Sequence, residues 1–306
     1  MPEPFERRLL LVHAHPDDET IGTGATMAHY VAAGAGVCLV TCTLGEEGEV
    51  LVPGLALLAA EHADQLGGWR IHELAAAMAE LGITDHRFLG GAGRFRDSGM
   101  MGTPANRKPR AFWRAAEDSE AFDAAVTALV GVIREVRPQV MVSYDDFGGY
   151  GHPDHIMAHR VATVAATAAA RTDHPASGEP WQVSKFYWTA VPRSVLQRQL
   201  ETARAEATAP FDWPESVADL PFGVADELVT SVVHAPDQVA AKQRALAAHA
   251  TQITVHGMCF ALSNNLGQRV TGSEYFRLVS GLPGGPLDAD GRETDLFGGL
   301  FEPDPA

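Results

Sequence analysis

The chain has 306 residues, 46% hydrophobic and 20% charged, with 39 acidic against 23 basic side chains and a formal net charge of −16. This composition is that of a globular protein and excludes disorder, collagen-like repeats and coiled coil; at roughly 150 residues per domain, the length suits two domains or one large α/β unit. The negative charge argues against nucleic acid and anionic membranes as partners, and the longest apolar run, about ten residues over Ala124 to Ile133, is half a bilayer span.

In chain order, Leu9 to Ala14 and Val37 to Thr43 are unbroken apolar runs of the kind that form buried parallel strands, with a helical pattern over Thr26 to Gly34 between them. This is a βαβ unit. Ile71 to Leu81 predicts a second helix stopped at Gly82, Arg87 to Leu89 a short strand, and Phe122 to Glu135 a third helix closed by Pro138. Gln139 to Tyr144 is strand-like, and Pro153 to Arg171 is an alanine-rich helix. The alternation predicts an open, mostly parallel sheet with helices on both faces. Farther on come a strand at 185–191, a helix near 193–206, a strand over Asp226 to Ala235 and a helix over Asp237 to Ala250, a smaller C-terminal α+β portion. The Gly/Pro/Asp-rich tail beyond Gly281 predicts a surface loop. The division is residues 1–171, carrying the metal-binding catalytic part, and 172–306, completing a substrate pocket, or one continuous domain.

No basic stretch followed by an apolar segment and a cleavage site opens the sequence, which argues against secretion by that route. The three cysteines, Cys38, Cys42 and Cys259, are too few and scattered for a disulfide scaffold or a thiolate zinc site. Cys38 and Cys42 fall on one face of a strand and are expected to be small core residues in a reduced, cytoplasmic protein.

Two segments carry chemistry. His13-Ala14-His15-Pro16-Asp17-Asp18-Glu19 follows the first strand, where functional groups gather in open α/β sheets. Pro16 stiffens the turn, so that His15 and Asp18, three residues apart, form a credible pair of zinc ligands with Asp17 beside the metal. The alternative is a helix cap by Asp17 or Asp18. The second segment, Tyr144 to His155, runs through a glycine-rich loop into a helix that opens at Pro153. His155 is the candidate third ligand, with His159 one turn later as a substitute better suited to a supporting role. His152 precedes the helix, and Asp154 is placed to orient a histidine through its other ring nitrogen. The remaining histidines, His29, His62, His72, His86, His174, His234, His249 and His256, default to surface or satisfied interior positions.

HAHPDDE (13–19) together with GHPDH (151–155) resembles the LmbE-like, or PIG-L, family of zinc-dependent N-deacetylases. CTLGEEGEV (42–50), HADQLGGWRIHEL (62–74), LGGAGRFRDSGM (89–100), KFYWT (185–189), AAHATQ (247–252) and ALSNNL (261–266) resemble the branch that deacetylates N-acetylglucosaminyl-inositol in mycothiol biosynthesis. The resemblance implies a Rossmann-like fold, His15, Asp18 and His155 as zinc ligands, Asp17 as general base, and His152, Asp154 and Tyr150 as groups assisting the transition state. It also implies Arg70 and Asp97 as contacts for sugar and inositol hydroxyls. Glu49, with Glu46 and Glu47 on the loop after the second strand, is either a further substrate contact or part of a solvated acidic turn. Zinc is the expected ion, with iron(II) the in-cell alternative that the same donors accept; the expected partner is a small glycoside. The leaving amine takes its proton from Asp17 or from His152. Rival readings are the sister amidase that cleaves mycothiol S-conjugates, whose lysine after the DDE turn is absent from TIGTG (20–24), a deacetylase of another amino sugar, and a silent sugar-binding module.

Overall fold

The computed structural model describes residues 6–206 and 210–301. Along the chain they form β1 (Arg8–His13), α1 (Asp18–Ala32), β2 (Gly36–Thr41), α2 (Leu66–Leu81), β3 (Asp85–Phe88), α3 (Ser119–Val136), β4 (Val140–Ser143) and α4 (Pro153–Ala168). These are followed by β5 (Lys185–Thr189), α5 (Arg193–Glu206), β6 (Ser231–His234), α6 (Val239–Ala248), β7 (Thr254–His256), β8 (Cys259–Ala261), β9 (Gln268–Arg269) and β10 (Ser273–Ser280). The main sheet has the order β3-β2-β1-β4-β5-β10-β6, and β7, β8 and β9 form a small separate sheet. The five strands from β3 to β5 are parallel, whereas β10 runs antiparallel to both β5 and β6.

Alternation along the buried strands sorts their side chains between two cores. Leu10, Val12, Cys38, Val40, Cys42 and Met141 pack under α3 and α4, and Leu9, Leu11, Leu39, Val140 and Val142 pack under α1, α2 and α6. The mostly parallel α/β sheet with helices on both faces is therefore the observed architecture. Cys38 and Cys42 lie on one face, buried and not disulfide-bonded, as their spacing suggests. Among the described residues no helix is long and apolar enough to cross a membrane.

The structure corrects three local expectations and adds a strand, β10, where the sequence pattern gives none. The first helix begins at Asp18 rather than Thr26. Its opening, Thr20-Ile21-Gly22-Thr23-Gly24, is rich in poor helix formers, so sequence pattern hides it; tertiary contacts hold it instead. The carboxylate of Glu274 on β10 accepts the Ala25 and Thr26 amides (3.0 and 2.7 Å), and Lys242 Nζ on α6 donates to the Ile21 carbonyl (2.9 Å) and to Glu274 (2.7 Å). Residues 226–235 yield only a short 3₁₀ turn at Asp226–Leu228 and the strand β6. Strand β10 forms from SEYFRLVS, half-buried along much of its length. Finally, the tail is not merely a surface loop. Glu293 is buried and accepts Lys185 Nζ at 2.6 Å, and Leu296 and Phe297 join the core beneath α1; residues 302–306 lie outside the described residues.

Because Lys242 and Glu274 are both buried, replacing one strands the charge of the other. The variant Lys242→Met is expected to lose about 3–5 kcal/mol of stability, read from the denaturant midpoint and slope. A loss below about 1 kcal/mol would show that the pair behaves like an exposed one.

Candidate metal-dependent active site

The sheet topology explains why two distant turns meet. From β1 the chain builds outward through β2 and β3, whereas β4 and β5 lie on the other side of β1, so strand order reverses between β1 and β4. In open α/β sheets the crevice outside the carboxyl ends of such a pair is the binding site. Residues 14–19 leave β1 and residues 144–155 leave β4 into that crevice.

His15, Asp18 and His155 converge there. Asp18 Oδ2 lies 3.2 Å from His15 Nδ1 and 3.2 Å from His155 Nε2. The opposite nitrogen of each imidazole is engaged: His15 Nε2 lies 3.2 Å from Asp154 Oδ2, and His155 Nδ1 lies 3.1 Å from the Gly148 carbonyl. Gly148 sits at φ 66°, and a Cβ there would stand 2.6 Å from His155 Cβ, so only glycine brings the carbonyl this close. The buried His155 Nε2 has no hydrogen-bond partner among the described residues. His152 joins the cluster, its ring centroid 4.6 Å from that of His15 and 5.1 Å from that of His155. Its Nδ1 accepts the Asp154 amide at 3.1 Å, so in the neutral ring the proton sits on Nε2.

The electrostatics favour a cation. Asp17, Asp18, Asp97 and Asp154 crowd around three imidazoles. Burial opposes protonation of His15, but Asp97 and the hydrogen bonds that the ring donates to Asp154 and Asp18 outweigh it and hold its pKa well above the ordinary value. Burial likewise acts upward on Asp18, yet His155 and His15 keep its pKa well below the usual range. His152, buried beside two other imidazoles, is pushed down to about 2 and is neutral. The His15 proton supplies positive charge that a divalent ion on the same atoms would replace, releasing that proton. Two donor groupings bring their ligand atoms within 4.8 Å of one another, His15 with His152 and His155, and His15 with Asp97 and Asp154; Asp18 belongs to neither but touches both His15 and His155. The imidazole and carboxylate donors, with an unpartnered histidine nitrogen among them, fit a metal ion.

Asp17 stands beside this cluster. Its φ of 108° is unusual for a non-glycine residue. It occupies the cap position of α1 without any side-chain capping bond, contrary to the capping alternative. Arg70 Nη2 donates to Asp17 Oδ2 at 3.0 Å and also to the Pro16 carbonyl, while Nη1 donates to the Gly45 carbonyl at 2.7 Å. Burial pushes the Asp17 carboxyl up to about 6, against the pull of Arg70.

A family model described as PIG-L: GlcNAc-PI de-N-acetylase matches residues 10–166. A 1D-myo-inositol 2-acetamido-2-deoxy-alpha-D-glucopyranoside deacetylase of Geodermatophilus obscurus is 63% identical over 296 residues, spanning 96% of this chain and 98% of the relative. The chain belongs to the PIG-L family. Among solved structures, the hydratase GalB of Pseudomonas putida has a TM-score of 0.57 at 16% identity, covering 92% of this chain and 100% of that one. The N,N'-diacetylchitobiose deacetylase of Pyrococcus horikoshii has a TM-score of 0.52 at 16% identity, covering 80% of this chain and 70% of that one. These two show the shared fold alone. Since one is a hydratase and the other a deacetylase, the fold does not decide the reaction.

On this PIG-L fold the other expected site residues fall into distinct places. Tyr150 is about one-third exposed, its ring 4.9 Å from that of His155. Arg70 and Asp97 are buried, 3% and 4% exposed. Asp97 accepts the Glu47 and Gly99 amides and lies 3.5 Å from His15 Nε2. Glu49 has an exposed side chain. Glu46 is buried and accepts the Asp97 amide, whereas Glu47 pairs with Arg96 and Lys108. His159 supports from behind, its Nδ1 3.0 Å from the Tyr144 carbonyl.

A cavity of about 280 Å³ opens beside Asp18, Tyr150 and His155, walled at its far side by Leu196, Trp213, Phe222 and Phe260. The irregular region 192–235 thus contributes its wall, while Arg70, Asp97 and Glu49 do not line it. Sequence reading leaves four supporting residues without a role. His13 is held neutral by burial, its pKa down to about 4, between Tyr144 and Thr23. The Ser98 amide anchors Asp154 Oδ2 at 2.8 Å, and a buried Glu19–His249 contact lies under Asp17. For His13 and Glu19 a signal existed, their place within HAHPDDE, and for His249 its place within AAHATQ.

Proposed function

We propose that the chain hydrolyses the N-acetyl group of 1-O-(2-acetamido-2-deoxy-glucopyranosyl)-myo-inositol, giving glucosaminyl-inositol and acetate in mycothiol biosynthesis. In this reading a zinc ion is held by His15, Asp18 and His155. One observation carries the ligand assignment: Asp18 Oδ2 stands 3.2 Å from a nitrogen of each histidine, while the second nitrogen of each ring is already engaged. That pairing of ligand and outer partner is the usual way of aiming imidazoles at a metal. The substrate follows from the relative's name and its match over 96% of this chain.

Bound there, zinc would polarise the acetyl carbonyl and lower the pKa of the attacking water. Arg70 fixes Oδ2 of Asp17, leaving Oδ1 to take a proton from that water. His152, its Nδ1 occupied by the Asp154 amide, donates its Nε2 proton toward the developing oxyanion. The Tyr150 hydroxyl is the second donor, carried between Gly149 and Gly151, both at positive φ. Asp17 then returns the proton it took from the water to the leaving nitrogen, while His152 keeps its Nε2 proton directed at the oxyanion. Arg70 and Asp97 act by positioning Asp17 and His15, and the glycoside enters from the cavity side. The buried thiols of Cys38 and Cys42 suit a cytoplasmic location.

The test is acetate release from N-acetylglucosaminyl-inositol, assayed with and without a chelator beside a mycothiol S-conjugate. Release that stops with chelator and returns with zinc is expected. Faster cleavage of the S-conjugate, or release indifferent to chelation, would overturn the assignment.

A further inference from the structure

The AAHATQ segment (247–252) carries no role in the chemistry above, yet its histidine reaches the base. His249 follows α6 and is fully buried. Its Nε2 lies 3.0 Å from Oε1 of Glu19, which is also fully buried. Glu19 Oε2 accepts the backbone amide of Asp17 at 2.9 Å. Thr20 donates its hydroxyl to Oε1 at 2.6 Å, completing the grip on that carboxylate. His249 Nδ1 has no hydrogen-bond partner among the described residues, so the ring needs its proton on Nε2, facing Glu19. The segment is itself braced: Gln252 and Ile253 donate their amides to the His249 carbonyl, and Thr251 donates its amide and hydroxyl to Glu73 on α2 at 2.8 and 2.7 Å.

The backbone of Asp17 needs such a hold. A φ of 108° is one an L-residue rarely adopts and keeps only when its surroundings over-determine it. Arg70 secures the carboxylate, and Glu19 secures the amide. We propose that His249, acting through Glu19, is a positioning residue for Asp17. It touches neither metal ligand nor substrate; it holds Glu19 in the one orientation that keeps the strained amide bonded and the Asp17 carboxylate aimed at the water. The inference rests on Asp17 being the base.

The experiment compares His249→Gln, His249→Asn and His249→Leu with Asp17→Asn in the zinc-loaded full chain. Glutamine can present an N–H near the Nε2 position, whereas asparagine is too short and leucine has none. The Leu and Asn variants are expected to lower kcat roughly tenfold, with KM and zinc content unchanged and the Asp17 amide exchanging faster with solvent; the Gln variant regains most of the rate. Placed on Asp17→Asn, either has no further effect on the residual rate, because the group being positioned is gone. Equal kcat in the Gln and Asn variants, or parallel loss of zinc and KM with kcat, overturns the positioning role, and those two polar variants decide it should the leucine variant not fold. Full activity in Asp17→Asn sinks the base assignment instead.

Discussion

Replacing Asp17 with asparagine lowers kcat by about 10²-fold or more and leaves the metal bound. The change is nearly isosteric, and the asparagine oxygen still accepts from Arg70 Nη2, which donates to Asp17 Oδ2 at 3.0 Å. The backbone amide still donates to Glu19. What disappears is the basicity of the second carboxylate oxygen. The proposed ligands lie outside the change, so metal content should match that of the unaltered protein. Steady-state kinetics with metal analysis on the same preparation checks both halves. If metal and rate fall together, Asp17 is a ligand and its role must be reassigned.

The second large effect is the reverse pattern, loss of metal and rate together in His155→Ala. His155 is 2% exposed, clamped by the Gly148 carbonyl on one nitrogen and stacked on Tyr144 with ring centroids 4.3 Å apart. Its other nitrogen faces Asp18 and has no hydrogen-bond partner among the described residues. Alanine leaves His15 and Asp18 alone, too few for a three-ligand site. Forgoing several kcal/mol of transition-state stabilisation from the metal corresponds to about three decades in rate. A purified His155→Ala protein with full metal content would shift the assignment to the groupings of His15 with Asp97 and Asp154. The contrast with Asp17→Asn is the strongest test of the site, since the two variants separate holding the ion from moving the proton.

How far sequence reading reached differs by element. Strands β1, β2 and β4 are buried on both faces, so their unbroken apolar runs announce them, and Gly82, in the left-handed conformation at φ 75°, ends α2 where a glycine stop belongs. The start of α1 was hidden because Thr20 to Gly24 favour helix poorly and are held by Lys242 and Glu274 from far along the chain. Strand β10 escaped because SEYFRLVS lies between antiparallel neighbours near the sheet edge, with several half-buried residues.

By itself the sequence determined the donor inventory. Histidines and aspartates stand on two rigid turns, each after a buried strand, with Pro16 and Pro153 fixing the local backbone. Those features are local, set by residue type and by neighbours a few positions away. Only the tertiary structure decided that β1 and β4 are adjacent, that one nitrogen of each of His15 and His155 is engaged by Asp154 and by the Gly148 carbonyl while the other faces Asp18, and that Arg70 and Asp97 lie buried behind Asp17 and His15. It alone joined His249 to Glu19 across 230 positions. The reason is physical: a side chain's partner depends on which segments the sheet order brings together, and that order emerges from packing the whole chain rather than from any stretch of it.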